Sequence, residues 1–354
     1  MTIDEKYIHR CLQLALNGKG YVSPNPMVGA VVVHNEKIIG EGYHRQYGQA
    51  HAEVNAINSV KDKSLLKDST IYVSLEPCSH YGKTPPCSQL IIDSQIPRVV
   101  VACLDPFPAV AGRGIAMLRK AGIDVTVGVL EHLAKQLNKE FITAQTKNRP
   151  YIYLKWAQSQ DGFIDRERAP GTKAQPTPIS GDFTKMIVHK LRSEVSSIMV
   201  GTNTVINDNP SLTTRLWAGR NPIRVTIDRN GRIPKGYTLF DGNVETLVFT
   251  ESVTHEISNN NVTYIPISFD SDLLRHIFAE LKRRNINSVL IEGGQQLLQS
   301  IIDHQLWDEA YIETAPVFFE KGVPSPLIKG KVVNEYIGTE YKHTHMICSN
   351  NKIT

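Results

Sequence analysis

Short apolar runs that suit β-strands alternate with segments of helical periodicity along almost the whole chain. This alternation strongly constrains the fold, because strands separated by helices favour an α/β sheet covered by helices. The pattern predicts a helix over 4–17 and a hairpin formed by 28–33 and 37–42. Further N-terminal elements are predicted as helices at 52–60, 88–94, 114–121 and 134–143 and as strands at 70–74, 98–102 and 124–129.

A polar stretch at 146–150 ends in proline, and a second series of strands and helices begins after it. A chain of 354 residues is more than twice the usual domain size, so two domains are expected, at 1–146 and 147–354. In the second domain we predict strands at 151–157, 197–201, 223–228, 246–250, 288–291 and 309–319 and helices at 183–195, 273–284 and 295–303.

The composition argues against several functional classes. The net charge is +4, from 39 basic and 35 acidic residues dispersed along the chain, which disfavours a nucleic-acid-binding surface. The five cysteines are too sparse for a disulfide framework. No apolar run approaches the roughly 20 residues that span a bilayer, and the N-terminus does not resemble a signal peptide. We therefore expect a cytoplasmic protein with neither membrane nor nucleic acid as partner.

The strongest chemical signal is formed by His51, Cys78 and Cys87. One imidazole and two thiolates suit a tetrahedral zinc ion, and three protein ligands leave the fourth position for water. Zinc lowers the pKa of that water towards neutrality and so creates a nucleophile. Glu53, close to His51 in sequence, is suited to carry a proton to a departing amine. The pattern predicts a zinc-dependent deaminase of a nucleobase-like amine.

Pro77 and Pro86 directly precede the two cysteines, and each favours the start of a helical turn whose N-terminus would stabilise a thiolate. Eight residues separate Cys78 from Cys87, however, whereas the general zinc-deaminase signature has two. Two other interpretations therefore stay open at this point. The three residues could be unrelated, or they could form a closed structural zinc site with His80 as the fourth ligand.

In the second domain, the predicted strand at 288–291 runs directly into Glu292, Gly293 and Gly294, and a helix follows. Backbone amides at such a helix start can bind a phosphate, which glycines allow to approach closely. The junction indicates a nucleotide site. Plain turn geometry explains it equally well, and no G-x-G-x-x-G motif is present.

Longer motifs resemble one family. The segments PNPMVGA (24–30), HAE (51–53) and EPCSHYGKTPPC (76–87) are similar to those of the bifunctional riboflavin-biosynthesis deaminase–reductases of bacteria. The insert SHYGKTPP between the cysteines separates that family from cytidine and tRNA-adenosine deaminases. In the second half, LKWAQSQDG (154–162) and GTNTVINDNPSLTTR (201–215) resemble the reductase part. The resemblance thus covers nearly the whole chain.

The resemblance implies a cytidine-deaminase-like three-layer domain followed by a dihydrofolate-reductase-like α/β domain. The first domain would remove the 2-amino group of 2,5-diamino-6-ribosylamino-4(3H)-pyrimidinone 5′-phosphate, with zinc on His51, Cys78 and Cys87 and with Glu53 as proton shuttle. The residues implied in substrate binding are Asn25, His44, His80, Lys83 and Asp105. For Lys83 a solvated loop charge, and for His44 an ordinary polar residue, remain alternatives.

The second domain would use NADPH to reduce the ribosyl group of the deaminated product to ribityl. The cofactor side is implied to hold Ala157, Thr204, Glu292, Gly293 and Gly294. The substrate side is implied to hold Lys155, Ser180, Asp208, Leu212 and Arg215. The Arg215 guanidinium suits two-point binding of a phosphate, whereas no arginine stands in a clear position for the 2′-phosphate of NADPH. The family also suggests a homo-oligomer.

Two segments depart from the family pattern. Phe107 stands in Asp105-Pro106-Phe107-Pro108 where the family usually has asparagine, and it cannot make the hydrogen bonds of an amide. The stretch 166–178 is interpreted as a surface loop or as a mobile loop over the cofactor.

Two further functions fit parts of the sequence. A deaminase of a free nucleoside or of tRNA would leave the second domain unexplained, and the small net charge disfavours tRNA. A zinc-stabilised binding module with a nucleotide-sensing domain would have no use for an uncoordinated carboxylate at Glu53. Glu53 therefore separates the enzymes from the binding module.

Overall fold

The computed structural model describes residues 1–80, 85–107, 111–167, 177–338 and 341–349, so that Lys83 and most of the loop at 166–178 lie outside it. The chain divides into two compact units, Met1–Asn148 and a second unit that begins at Arg149. The predicted boundary after 146 lies two residues before this division. Among the described residues, no helix combines the length and the apolar character needed to cross a membrane.

The first unit is built on one sheet flanked by helices. Its strands are β1 (Gly29–His34), β2 (Lys37–Tyr43), β3 (Thr70–Val73), β4 (Arg98–Val101) and β5 (Asp124–Val127). The sheet order is β2-β1-β3-β4-β5; β1 is antiparallel to both neighbours, whereas β3, β4 and β5 are parallel. The helices are α1 (Ile3–Leu16), α2 (Ala52–Ser59), α3 (Cys87–Asp93), α4 (Arg113–Lys120), α5 (Glu131–Leu137) and α6 (Lys139–Thr146).

Successive strand residues face opposite sides of this sheet and so build two separate cores. Ala30 and Val32 pack in a cluster with residues of α2, α3 and α4. Val31 and Val33 pack on the other side with residues of α1 and α5. The sheet therefore lies between two helical layers, which confirms the three-layer fold that the resemblance implies.

A single helix predicted at 134–143 is in fact two helices, and the break lies at Asn138. The side chain of Asn138 is buried, accepts the Met27 N–H at 2.8 Å and donates to the Met27 carbonyl at 2.9 Å. These two bonds fix Asn138 at φ −100° and ψ 22°, outside helical geometry. A distant backbone partner thus overrides the local helical pattern.

The second unit has twelve strands: β6 (Tyr151–Ser159), β7 (Phe163–Arg166), β8 (Ser197–Val200), β9 (Ile223–Ile227), β10 (Thr246–Thr250), β11 (Ile257–Asn259), β12 (Val262–Pro266), β13 (Ser288–Glu292), β14 (Glu309–Ala315), β15 (Gly322–Pro324), β16 (Lys331–Ile337) and β17 (Lys342–Ile347), counted within the described residues. Its helices there are α7 (Asp182–Glu194), α8 (Thr202–Asp208), α9 (Leu273–Arg283) and α10 (Gln295–Asp303). Ten strands form one sheet in the order β11-β12-β10-β9-β8-β13-β6-β14-β17-β16, and β7 pairs with β15.

The seven strands from β12 to β14 run parallel, and antiparallel strands close the sheet at both ends. In such sheets, ligands bind beyond the carboxyl ends of the parallel strands. The strand predicted at 309–319 is shorter in the structure, where β14 ends at Ala315. Pro316 follows and has no N–H to donate to a neighbouring strand.

Buried Asp308 anchors the beginning of this unit. Its two carboxylate oxygens accept from the Arg149 guanidinium at 2.6 and 2.9 Å, and one of them also accepts the Ile152 N–H at 2.7 Å. These bonds fix the start of β6 beside β14. The central strand of the unit is thereby set in register with its neighbour.

Candidate metal centre and reductase pocket

The three predicted ligands of the first unit meet at the starts of two helices. His51 is the residue before α2, and Cys87 is the first residue of α3. Cys78 lies in the loop after β3 and does not begin a helix, which corrects the expected helical turn at Pro77. The reason is that the Cys78 carbonyl accepts the Ser88 N–H at 3.1 Å, so this loop is bonded to the first turn of α3 instead.

The geometry of this cluster fits zinc. His51 Nδ1 lies 3.6 Å from Cys78 Sγ and 3.3 Å from Cys87 Sγ, and the three ligand atoms all lie within 4.8 Å of one another. Zinc–ligand bonds of roughly 2.0–2.3 Å in a tetrahedron separate the ligand atoms by roughly 3.6–3.8 Å. One nitrogen and two sulfur atoms are also a donor set that zinc prefers. These residues can therefore hold the ion.

Among the described residues, no other histidine, cysteine or carboxylate joins the cluster. His80 is exposed and is not part of it, so the structure gives no support to a closed site with His80 as fourth ligand. Glu53 is buried beside the cluster without belonging to it. Burial raises the pKa of the Glu53 carboxyl to about 7. This arrangement is that of an open site with a separate carboxylate.

The Cys78 thiol is surrounded by hydrogen-bond donors. Besides the two ligand partners, the backbone N–H of Cys87, at the start of α3, points at Cys78 Sγ at 3.3 Å. The hydrogen bond with the Cys87 side chain and that with His51 hold the pKa of the Cys78 thiol well below its usual range. The ligand is thus favoured in the thiolate form that a metal needs.

Two residues predicted to bind substrate connect directly to the cluster. Asn25 Nδ2 lies 3.2 Å from His44 Nε2, and His44 Nδ1 lies 3.1 Å from the Ala50 carbonyl oxygen. The ring of His44 meets that of His51 edge-on, with centroids 5.6 Å apart. His44 is buried, and this burial lowers its pKa. Asn25, His44 and the metal ligand therefore form one continuous wall.

Asp105 is bonded to the segment that carries Cys78, because its backbone N–H donates to Glu76 Oε2 at 3.2 Å. It is buried, and this burial raises the pKa of its carboxyl to about 6. Its Oδ1 accepts the backbone N–H of Phe107 at 2.8 Å. The Phe107 side chain is 39% exposed, so the apolar residue at this position faces solvent.

Glu76, to which the sequence analysis gave no role beyond its place in the motif at 76–87, fixes this loop. Its buried carboxylate accepts four backbone N–H groups at 2.9–3.3 Å, those of Asp105, Gly112, Gly114 and Ile115. Three of them belong to the start of α4, where a carboxylate is stabilised by the helix dipole. The segments meet so closely that a Cβ at Gly114 would lie 2.0 Å from the Pro77 carbonyl oxygen. Glu76 thus joins α4 to the segment that carries Cys78.

The second unit contains a cavity of about 790 Å³ at the carboxyl ends of β6 and β13. Nine of the ten residues predicted for this domain line it, namely Lys155, Ala157, Ser180, Thr204, Asp208, Leu212, Glu292, Gly293 and Gly294. Arg215 does not line it, but its backbone N–H donates to Nδ1 of His189, which does. The exposed Arg215 side chain therefore lies beside the cavity.

The junction after β13 shows why glycines are needed there. Gly293 and Gly294 have φ of +90° and +75°, which other residues rarely adopt. A Cβ at Gly294 would also come within 3.0 Å of Thr204 Oγ1. Glu292, by contrast, is held by two bonds from Arg192 at 2.6 and 2.9 Å. Burial opposes ionisation of Glu292, yet Arg192 keeps its pKa below the usual range.

A second groove, of about 520 Å³, adjoins this cavity and shares Asn203, Thr204, Gly294 and Gln296 with it. Arg232 lines the groove and was not noticed in the sequence. Its guanidinium lies 3.5 Å from Asn203 Oδ1, and within the described part of the chain it has no carboxylate at salt-bridge distance. The groove thus presents a guanidinium that forms no ion pair among the described residues, and Asp270 also lines it.

Fold and cluster together place the first unit among zinc-dependent deaminases of the cytidine deaminase type, and the second is an α/β domain with a nucleotide-sized cavity. Residues 1–103 match the family model of the cytidine and deoxycytidylate deaminase zinc-binding region, and residues 150–348 match that of the RibD C-terminal domain. The chain is 39% identical to riboflavin biosynthesis protein RibD of Aquifex aeolicus, over 91% of this chain and 89% of that protein.

Two solved structures are similar to this chain over nearly its whole length. A diaminohydroxyphosphoribosylaminopyrimidine deaminase/5-amino-6-(5-phosphoribosylamino)uracil reductase of Thermotoga maritima is 38% identical, with a TM-score of 0.87 and coverage of 98% of this chain and 99% of that one. RibD of Acinetobacter baumannii is 30% identical, with a TM-score of 0.86 and coverage of 98% of both chains.

The chain belongs to the RibD family of riboflavin-biosynthesis proteins. It is a bifunctional enzyme with a zinc-binding deaminase domain and a reductase domain, and its cofactors are zinc and NADPH. The family resemblance, the fold class and the two activities expected from the sequence are confirmed. Neither a single-function deaminase nor a binding module accounts for both matches.

We predict that Cys78→Ser weakens zinc binding by more than about 100-fold, because a hydroxyl is a far poorer zinc ligand than a thiolate. Zinc affinity is measured by competition with a chromogenic chelator. The matched control is Cys103→Ser, since Cys103 is buried in the same unit outside the cluster. Zinc affinity that is unchanged in Cys78→Ser, or lost equally in both variants, would contradict the assignment.

Proposed function

We propose that the first unit deaminates 2,5-diamino-6-ribosylamino-4(3H)-pyrimidinone 5′-phosphate and that the second unit reduces the ribosyl group of the product to ribityl. The observation that supports it most is the meeting of His51, Cys78 and Cys87 next to a buried carboxylate that is not part of the cluster. Such a carboxylate serves proton transfer and has no use in a purely structural metal site. The similar Thermotoga maritima protein is named as a diaminohydroxyphosphoribosylaminopyrimidine deaminase and a 5-amino-6-(5-phosphoribosylamino)uracil reductase, which supports this pair of reactions.

In the deaminase, His51, Cys78 and Cys87 would hold the zinc, which when bound would supply an activated water for attack on the pyrimidine carbon. Glu53 accepts a proton from that water and delivers it to the amino group, which leaves as ammonia. Asn25 and His44 contact the pyrimidine, because their wall continues directly to the metal ligand. His80, Lys83 and Asp105 are assigned to the remaining substrate groups by family resemblance.

We expect Glu53→Gln to lower the rate of ammonia release by about 10²- to 10⁴-fold, because the amide cannot accept and return the proton. Zinc content should stay at the wild-type level, since Glu53 is outside the cluster. Reduction of the already deaminated substrate by the same variant is the internal control. Equal ammonia release from variant and wild type would remove the role of Glu53, and no release from either would remove the proposed substrate.

In the reductase, NADPH bound by residues of the cavity and groove would supply the hydride that reduces C1′ of the sugar. We assign Ala157, Thr204 and Glu292–Gly294 to its binding, since all of them line the cavity and Thr204 and Gly294 also line the groove. Lys155, Ser180, Asp208 and Leu212 line the cavity and are assigned to the substrate. Arg215, whose side chain lies beside the cavity, is assigned to the phosphate of the substrate.

Arg232 is proposed to bind the 2′-phosphate that distinguishes NADPH from NADH. The groove that it lines continues from the cavity past Gly294, so a dinucleotide lying along both would bring its adenosine end there. A guanidinium without a carboxylate partner is suited to bind a phosphate.

Arg232→Gln should raise the Kd of NADPH by about 10- to 100-fold, because a charge-assisted bond to the phosphate is lost. The Kd of NADH should change little, since it lacks that phosphate. Nicotinamide fluorescence titration measures both constants without turnover. Arg229→Gln is the control, because Arg229 is already paired with Glu251 at 2.7 Å. A loss shared equally by NADPH and NADH would refute this role.

The enzyme is further proposed to form a homo-oligomer through β16 and to act in the cytoplasm without nucleic acid as partner. β16 is the edge of the large sheet, is exposed along its whole length, and carries Val332, Val333, Tyr336 and Ile337. An exposed apolar edge strand is suited to pair with the same strand of a second copy.

Ile337→Lys should shift the molar mass measured by light scattering from oligomer to monomer, because it places a charge on this edge. Leu16→Lys is the matched control, since Leu16 is similarly exposed but lies on α1 of the first unit. A monomeric wild-type protein, or an oligomer that survives in Ile337→Lys, would contradict the proposed interface.

A further inference from the structure

A buried carboxylate lies directly behind the reductase cavity. Glu313, on β14, is 1% exposed and does not line the cavity. Its Oε2 accepts the Ser180 hydroxyl at 2.7 Å and lies 3.7 Å from Lys155 Nζ. Its Oε1 accepts the Thr184 hydroxyl at 2.9 Å. One carboxylate therefore holds two cavity residues that come from different parts of the chain.

The sheet register explains this meeting. In the parallel pair of β14 and β6, Tyr311 lies opposite Lys155 and Glu313 opposite Ala157. Because every second residue of a strand faces the same side, Glu313 shares a face with Lys155. On its other side, Glu313 lies opposite His343 of β17. Burial lowers the pKa of His343, so Lys155 is the cation that balances the carboxylate.

Stability alone does not explain the buried pair of Lys155 and Glu313. Burying two charges costs about as much as their attraction returns, so an apolar pair of similar volume would serve a core equally well. The Lys155 side chain is 13% exposed, and its exposed part faces the cavity. An ammonium group has three donors. Glu313 lies at ion-pair distance, 3.7 Å from Lys155 Nζ, so the ammonium can still donate to an acceptor in the cavity.

We propose that Glu313 is a positioning residue of the reductase. It holds the Lys155 ammonium ready to donate to an oxygen atom of the substrate and the Ser180 hydroxyl oxygen ready to accept from a substrate hydroxyl. This inference rests on the proposed reduction of the deaminated pyrimidine. It assigns the carboxylate no contact with substrate or cofactor. Its effect passes through the two side chains that it fixes.

Glu313→Gln should raise the KM for the deaminated substrate and lower kcat/KM by about 10- to 100-fold, as expected when positioned groups become mobile. The Kd of NADPH, measured by fluorescence, should stay within about twofold, and ammonia release by the first unit should not change. The control is Thr184→Val, which removes a hydroxyl from the same carboxylate without changing a cavity residue. It should retain nearly the full kcat/KM.

A double-mutant cycle with Lys155→Met distinguishes a positioning role of Glu313 from a purely structural one. If Glu313 acts through Lys155, Glu313→Gln should lower kcat/KM much less in the Lys155→Met background than in the wild type. Fully additive effects, or a loss of NADPH binding as large as the loss of kcat/KM, would overturn the proposal. If Glu313→Gln does not fold, Glu313→Asp replaces it, because the shorter carboxylate keeps the charge but not the reach.

The wild-type protein distinguishes this proposal from the function on which it rests. Absence of any reduction of the deaminated substrate by the wild type would refute the proposed function itself. Reduction by the wild type that is unaffected in both Glu313 variants would refute only the positioning role.

Discussion

Both sites depend on buried carboxylates that are compensated by donors from distant segments. A carboxylate without partners inside a protein is unfavourable by several kcal/mol, so each one can be buried only where donors converge on it. Glu76 binds the start of α4, Asp308 binds the start of β6, and Glu313 binds Lys155 and α7. The loops at the metal centre and the cavity wall are thereby tied to helices and strands instead of being free to move.

The two-part α/β architecture follows from features that are local in sequence. Alternating apolar runs predicted most strands to within a few residues, since a strand buried on both faces must be apolar throughout. The metal cluster was predictable for a different reason. A histidine and two cysteines with an acidic neighbour share one chemistry, and their meeting in space is what the structure shows. The roles of the surrounding residues remain predictions.

Features that depend on distant partners could not be predicted. The break at Asn138 is caused by Met27, more than a hundred residues earlier. Glu76 looked like part of a motif, but its four backbone partners are brought to it only by folding. Arg232 lies in a segment with no distinctive pattern. Glu313 lies in a predicted strand, but its partners come from other elements that only folding brings to it. The strands from β15 to β17 were missed because they carry little apolar periodicity. β16 is exposed along its whole length, whereas β17 is half-buried but mostly polar.

The contact between Gly114 and the Pro77 carbonyl leaves no room for a side chain. Any larger residue there would displace the peptide next to Cys78 and so disturb the ligand sphere from a helix that contributes no ligand. Retention of the metal therefore depends on the packing of α4 as well as on the coordinating atoms. The structural requirements of the metal centre thus extend to Gly114, which is not among the metal ligands.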